Sequence, residues 1–120
     1  MEKTIKIDNV DVRLKSTGAT VLRYKQQFGK DYFSELLKMT KAIEPMRSNK
    51  NDNLDELNAE DLSLLDFEVI YNFVWVLAKT ADPEIPEPIE WLDSFDTFPI
   101  MDILPEIEDL LSASIQTKKK

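Results

Sequence analysis

The chain has 120 residues, of which 42% are hydrophobic and 32% charged, and its formal net charge is −8. This composition is typical of a globular protein, and the length suits one domain with a modest core. The chain contains no cysteine and no histidine, which excludes disulfides, thiolate metal sites and imidazole as a general base. We therefore expect a protein that is not an enzyme and that uses no cofactor or metal.

The charge is divided along the sequence. Residues 1–50 contain 11 basic and 6 acidic side chains, whereas residues 51–117 contain one basic and 17 acidic side chains. Acidic surface disfavours nucleic acid as a partner. The division also suits a homo-oligomer in which the basic half of one copy meets the acidic half of the next, although simple solubility is an equally good reason for it.

The N-terminal residues alternate apolar and polar side chains on either side of a turn signal, Asp8-Asn9. Alternation with period two predicts a β-hairpin with one buried face. Because a lone hairpin is unstable, we expect it to pack on helices or to pair with another copy. The apolar positions are Ile5, Ile7, Val10, Val12 and Leu14.

Two helices are predicted after the hairpin. Thr20 is expected to cap the first and Gly29 to end it. Asp31 is expected to cap the second helix, over residues 32–43, and Pro45 to end it. The inward stripe of the second helix is predicted to be Phe33, Leu36, Leu37, Thr40 and Ile43.

A third helix is predicted from about Ala59 to Ala81. Between residues 69 and 78 it is apolar almost all round, which is typical of a central helix or of one that lies partly in an oligomer interface. This run is too short to span a membrane, and residues 1–10 lack the apolar core of a signal peptide. We therefore expect a soluble, intracellular protein without a membrane partner.

The polar residues before this helix imitate a calcium-binding loop. Asn49 to Asn53 resemble its first half, and Glu60 falls at the twelfth position. However, Asn49 stands where aspartate is usual, and Leu54 replaces the glycine that permits the sharp turn. We therefore expect an ordinary loop rather than a metal site.

Residues 81–100 combine four prolines and six carboxylates with several large apolar side chains, and they contain no basic residue. We expect the prolines to start and stop short helices, with Pro88 and Pro99 near two N-termini. Pro105 is expected to kink the last helix or to restart it at Asp102. The whole pattern predicts a mainly α (α+β) fold, in which an N-terminal β-hairpin packs on a bundle of about five helices. The single domain would span residues 1–117, followed by a basic, disordered tail at 118–120.

Three strings in this chain resemble one family over nearly its whole length, from the hairpin to about Leu111. They are STGATVLRYKQQFGKDYFSELLKM, VIYNFVWVLAKTADPEIPEPIEWLDSFDTFPI and ILPEIEDLL. In this order they are similar to the tail assembly chaperones of long-tailed phages and prophages of Gram-positive bacteria. The most specific part is Ala78 to Phe98, and the second is Gly18 to Asp31.

The resemblance implies a mostly helical, non-enzymatic protein that tends to self-associate. Such a protein binds the tape-measure protein, keeps its long apolar helices soluble and helps recruit tail-tube subunits. It would act in the host bacterial cytoplasm and be absent from the mature virion. The alternative from another class is an acidic inhibitor or DNA mimic, which would bind a basic partner through the acidic half.

Large apolar side chains among acids and prolines are the candidates for partner binding, because aromatic residues are enriched where interfaces bury surface. For Trp75 a place in the core is the alternative, and Trp91 is open to both interpretations. The predicted partner-binding residues are Trp91, Phe95, Phe98, Ile85, Ile89 and Trp75.

Overall fold

A computed structural model of the chain describes residues 1–48 and 67–113. Within these ranges an antiparallel hairpin precedes five helices, which confirms the predicted fold class. Three predictions lie outside the described residues: the loop that resembles a calcium-binding loop, the beginning of the third helix and the basic tail. The elements are β1 (Glu2–Ile7), β2 (Val10–Lys15), α1 (Gly18–Phe28), α2 (Tyr32–Ser48), α3 (Phe67–Ala81), α4 (Pro88–Asp93) and α5 (Ile100–Ala113).

The hairpin forms as its alternation predicts. Asp8 and Asn9 adopt φ of 53° and 64°, the left-handed conformation that a two-residue hairpin turn requires and that Asp and Asn tolerate. The register pairs Ile7 with Val10 and continues regularly to Glu2 and Lys15. One face is buried against the helices through Ile5, Ile7, Val12 and Leu14.

Helix α1 begins earlier than predicted, because its N-cap is Thr17 rather than Thr20. The Thr17 hydroxyl accepts from the Ala19 amide at 3.2 Å, while the Thr20 hydroxyl accepts from the Thr17 amide at 3.0 Å. This reciprocal pair is a capping box, so Thr20 serves the helix start from its third position. Gly29 ends the helix as predicted, at φ 68° with its amide donating to the Lys25 carbonyl at 2.8 Å.

The beginning of α2 is as predicted, but its buried face is not. Asp31 accepts from the amide and hydroxyl of Ser34 at 2.9 and 3.0 Å. The Tyr32 hydroxyl donates to the Leu111 carbonyl at 3.0 Å, and its ring packs on Phe73. Docking of this ring rotates the helix, so Phe33, Leu37 and Thr40 of the predicted stripe are exposed. The residues buried on α2 include Tyr32, Glu35, Leu36 and Met39.

The prediction that Pro45 ends α2 is also wrong, since the helix continues to Ser48. A proline inside a helix removes one hydrogen bond, to the carbonyl four residues earlier. Here that carbonyl belongs to Lys41, which is exposed, so water can satisfy it. The side chains of residues 42–48, which include the predicted Ile43, lie outside the description.

Helix α3 is the central element, which confirms one of its two interpretations. It contacts the hairpin and the other four described helices, and all its residues from Val69 to Ala78 are buried except Tyr71. Thr80 fixes it to α1 through a hydroxyl–hydroxyl contact of 3.3 Å with Thr20. None of the helices in the described ranges is long and apolar enough to cross a membrane.

Helix α5 runs without interruption through Pro105, so the predicted restart at Asp102 does not occur. The Pro99 carbonyl accepts from the amides of Asp102 and Ile103 at 3.0 Å each, which places Pro99 at the helix N-terminus as predicted. Pro105 lies in the second turn, so the single backbone hydrogen bond that it removes is close to the helix start. The inward face of α5 then closes the core with Ile103, Ile107, Leu110 and Leu111.

Candidate functional site

The segment 82–99, between α3 and α5, is held against α3 through its backbone carbonyls. The Pro86 carbonyl accepts from Trp75 Nε1 at 3.0 Å, and the Ile85 carbonyl accepts from Lys79 Nζ at 2.7 Å. The Lys79 ammonium also lies 5.9 Å from the centroid of the Trp75 ring. Side chains of α3 therefore satisfy two carbonyls of the segment and fix its position.

Helix α4 lies within this segment, and it buries some of the segment's apolar side chains while it leaves others exposed. Pro88 occupies the first helical turn, where its missing amide costs nothing. The Trp91 amide donates to the Glu87 carbonyl at 2.8 Å, and the hydroxyl of Ser94 bonds back to the Trp91 carbonyl where the helix ends. This short helix buries Trp91, which is 7% exposed, and leaves Ile89 73% exposed.

An aromatic cluster of Trp91, Phe95, Phe98 and Tyr71 joins the segment to α3. The ring centroids of Trp91 and Phe95 lie 5.1 Å apart, nearly edge to face, and those of Phe98 and Tyr71 lie 5.4 Å apart. Phe95 and Phe98 are in contact at 5.8 Å. Each such pair contributes about 0.5–1.5 kcal/mol beyond its buried area, so the cluster holds these side chains in fixed positions.

The hairpin turn is bonded to the same segment. The Asp8 carboxylate accepts from the Asp96 amide at 2.9 Å and from the Thr97 hydroxyl at 3.3 Å. Both contacts span almost ninety residues of sequence, and they place the segment alongside the hairpin.

A groove of about 450 Å³, the β2 groove, lies between β2 and the segment. Residues 10–13 of β2 form one wall, and Ile85, Trp91 and Phe95 belong to the other. Val10 is 49% exposed, so its side chain remains accessible in the groove. The volume is within the range of ligand-binding clefts, and the walls are largely apolar.

Charged residues contribute to the lining of the β2 groove. Asp11 and Asp82 line it, and Asp11 lies 3.3 Å from Lys6 Nζ. Arg13 lines it too, but its guanidinium lies 2.7 Å from Glu2 Oε2. The hydrogen bond from Arg13 and its positive charge hold the pKa of the Glu2 carboxyl below its usual range. The segment itself carries six exposed carboxylates and no basic residue: Asp82, Glu84, Glu87, Glu90, Asp93 and Asp96. The lining is therefore largely apolar with two carboxylates, and the segment that forms one wall is acidic.

A second apolar depression, of about 330 Å³, lies at the N-terminal ends of α3 and α5. Phe67, Tyr71, Phe98 and Met101 contribute to its lining, and Phe67 is exposed. The aromatic cluster thus supplies Tyr71 and Phe98 to this depression, and Trp91 and Phe95 to the β2 groove.

The six predicted partner-binding residues lie in different environments. Phe98 lines the second depression, and Ile89 is on the open surface of α4. Trp75 is 1% exposed and its ring lies 5.7 Å from that of Phe28, which is a position in the core. Three residues share the β2 groove: Ile85, Trp91 and Phe95.

The wall formed by β2 was not predicted from the sequence. Alternation identifies which face of a strand is buried, but it carries no information about which edge remains unpaired. The sequence signal for this wall was Val10. An apolar residue beside a hairpin turn lies at the end of the buried face, where the helices cover the strand incompletely.

Among the residues that the structure describes, no group of three or more acidic side chains is placed to hold a metal ion. Comparisons with protein-family models, with curated proteins and with solved structures found no match. The arrangement offers apolar walls, a strand edge and negative charge, which together can bind a polypeptide.

Proposed function

We propose that this chain is a non-enzymatic phage tail assembly chaperone, which binds the tape-measure protein, keeps it soluble and helps recruit tail-tube subunits. The observation that supports this most is the composition of the β2 groove. Residues 78–98 are the part of the chain most similar to those chaperones, and they supply one wall of the groove through Ile85, Trp91 and Phe95.

A chaperone for long apolar helices must expose apolar surface and still remain soluble. The β2 groove has that combination, because its lining is largely apolar and the segment that forms one wall carries exposed carboxylates. Phe33 and Leu37, one helical turn apart on α2, are each nearly half exposed and add a further apolar strip. Both surfaces suit a partner with large apolar side chains.

The proposal places the protein in the cytoplasm of the host bacterium and not in the mature virion. It also includes self-association, in which the basic first half of one copy contacts the acidic second half of the next. Such a head-to-tail contact closes into a ring or continues as a filament.

An acidic inhibitor or DNA mimic is the second candidate. The six exposed carboxylates of segment 82–99 favour it. A mimic of nucleic acid would spread its charges over an open face, whereas here the segment that carries them also forms one wall of an apolar groove. The chaperone proposal accounts for both features.

Co-expression with the tape-measure protein tests the proposal. The genes beside this one identify that partner. We expect a tail-tube gene upstream and a very long tape-measure gene downstream. An unrelated neighbourhood of genes would count heavily against the proposal. We expect the chain to move the tape-measure protein into the soluble fraction and to co-purify with it. A tape-measure protein that is equally insoluble with and without the chain would refute the function.

A further inference from the structure

We infer that the β2 groove binds an extended, basic segment of a partner protein, which adds to the hairpin as a third strand along the outer edge of β2. The inference goes beyond the proposed function, because it rests on the geometry of the groove and holds for any partner with such a segment. It concerns the form of the bound chain, its side-chain pattern and its charge.

The outer edge of β2 presents backbone groups for pairing. Ile7 and Val10 flank a two-residue turn and form a hydrogen-bonded pair, and such pairs alternate along an antiparallel ladder. Counted from that pair, Lys6 with Asp11 is the first pair along the register and Thr4 with Arg13 is the third. Both are therefore non-hydrogen-bonded pairs, whose amides and carbonyls point away from the hairpin.

This edge of β2 is not occupied by the rest of the described chain. Among residues 1–48 and 67–113, no backbone group from outside the hairpin bonds to residues 10–13. Asp11 and Arg13 are both exposed. An exposed strand edge with unpaired amides and carbonyls is a template for another strand.

The β2 groove runs along this edge. Successive side chains of a strand point to opposite faces, so four consecutive residues can line one groove only where the backbone itself faces it. Residues 10–13 do so. A strand laid there would direct alternate side chains inward, toward Trp91 and Phe95, and the others toward solvent. The bound segment should therefore be apolar at every second position.

The charge of the groove indicates which side chains the bound segment should carry between its apolar positions. Within the hairpin the charges that line the groove are paired, Asp11 with Lys6 at 3.3 Å and Arg13 with Glu2 at 2.7 Å. Asp82, on the other wall, also lines the groove. Segment 82–99, which forms that wall, carries six exposed carboxylates and no basic residue. Lysine or arginine at the alternate positions would be attracted to this surface, whereas acidic side chains would be repelled.

A synthetic heptapeptide that alternates valine and lysine, with both ends blocked, is the probe. We expect it to slow amide hydrogen exchange at Asp11 and Arg13 and to leave Thr4 and Lys6, on the outer edge of β1, unchanged. A valine–glutamate peptide should bind at least about tenfold more weakly. The valine–lysine peptide with N-methyl groups on alternate residues, which removes its donors, should also lose at least about tenfold in affinity.

Two proline variants compare the outer edges of β2 and β1; Arg13→Pro also frees the Glu2 carboxylate, which would favour a basic peptide and so cannot cause a loss of binding. Arg13→Pro and Thr4→Pro each remove one outward-facing amide, at opposite residues of the hairpin, where an edge strand tolerates proline. We expect Arg13→Pro to weaken peptide binding at least about tenfold and Thr4→Pro to bind like the unchanged chain. If Arg13→Pro does not fold, the N-methylated peptide with the unchanged chain decides the question.

Equal loss in both proline variants, protection of the β1 edge, or full affinity for the N-methylated peptide would overturn the inference. Sedimentation with and without the peptide identifies a competing occupant. If the chain forms a dimer in which amide exchange at Asp11 and Arg13 is already slow, and the peptide dissociates it, a second copy occupies the edge and the assignment to a different partner is wrong. The peptide results stand apart from the co-expression result, so either proposal can fail alone.

Discussion

Replacing Lys79 by methionine should loosen segment 82–99, because it removes the ammonium but keeps most of the aliphatic stem. Lys79 Nζ donates to the Ile85 carbonyl at 2.7 Å and lies 5.9 Å from the centroid of the Trp75 ring. A hydrogen bond to a charged group contributes about 1.5–3 kcal/mol net, and a cation–π contact at a partly exposed site contributes about 0.5–1 kcal/mol. Lys79 is only half-buried, so solvent screens both contacts, and we expect a combined loss of about 1.5 kcal/mol.

This loss converts into a shift of the unfolding temperature. An unfolding entropy of about 2.1 cal/mol/K per residue amounts to about 250 cal/mol/K for a chain of 120 residues. The Tm of Lys79→Met should therefore fall by about 6 °C, measured by circular dichroism. Amide exchange should accelerate at Ile85 and Trp91 more than in the middle of α3, since the segment opens before the helix does.

Lys41→Met is the matched control, because Lys41 is an exposed lysine on a helix. Its Tm should stay within about 1 °C of that of the unchanged chain. If Lys79→Met unfolds at the same temperature as the control, the lysine does not anchor the segment. Uniformly faster exchange along α3 would mean that Lys79 supports the core rather than the groove wall.

Four further outcomes are expected. Tyr32→Phe removes the donor to the Leu111 carbonyl and leaves that group buried, so chemical denaturation should give a loss of about 1–3 kcal/mol; no loss would mean that water replaces the hydroxyl. Thr17→Ala removes the N-cap of α1 and should cost about 1 kcal/mol, whereas Thr17→Asn should cost little. The Ser34 amide and hydroxyl hold the pKa of the Asp31 carboxyl below its usual range. The resulting stabilisation is present above the carboxyl's pKa in the unfolded chain and is lost as the pH falls through the lower folded value, so Asp31→Asn should flatten that part of an acid titration of stability. Light scattering should detect oligomers at about 50 mM salt that dissociate at about 500 mM; a monomer at both concentrations would exclude head-to-tail association, and oligomers insensitive to salt would indicate an apolar interface.

The parts of the fold that depend on local pattern were predictable from the sequence. The hairpin follows from alternation around Asp8-Asn9, and the end of α1 follows from Gly29, because each of these signals acts within a few residues. The start of α1 was misplaced because two threonines three residues apart share one capping box, and either could be taken for the cap.

Tertiary contacts decided what the local pattern could not. Phe33 and Leu37 have the spacing of an inward stripe, yet the hydrogen bond from Tyr32 to Leu111 turns them outward. That bond joins residues 79 positions apart, so no local signal contains it. The candidate site was predictable only as a composition, a set of aromatic residues among acids and prolines. Its second wall comes from β2, which the Asp8 carboxylate brings beside the segment through contacts of equally long range.

The soluble yield of co-expressed tape-measure protein, compared between two variants of this chain, tests most directly whether the β2 groove performs the proposed function. Val10→Asp places a charge in the groove, at a residue 49% exposed, whereas Leu22→Asp places the same charge on α1, at a residue 59% exposed. Both should fold, because neither side chain is buried. We predict that Leu22→Asp keeps the tape-measure protein soluble and that Val10→Asp does not. Equal solubilisation by the two folded variants would contradict the account.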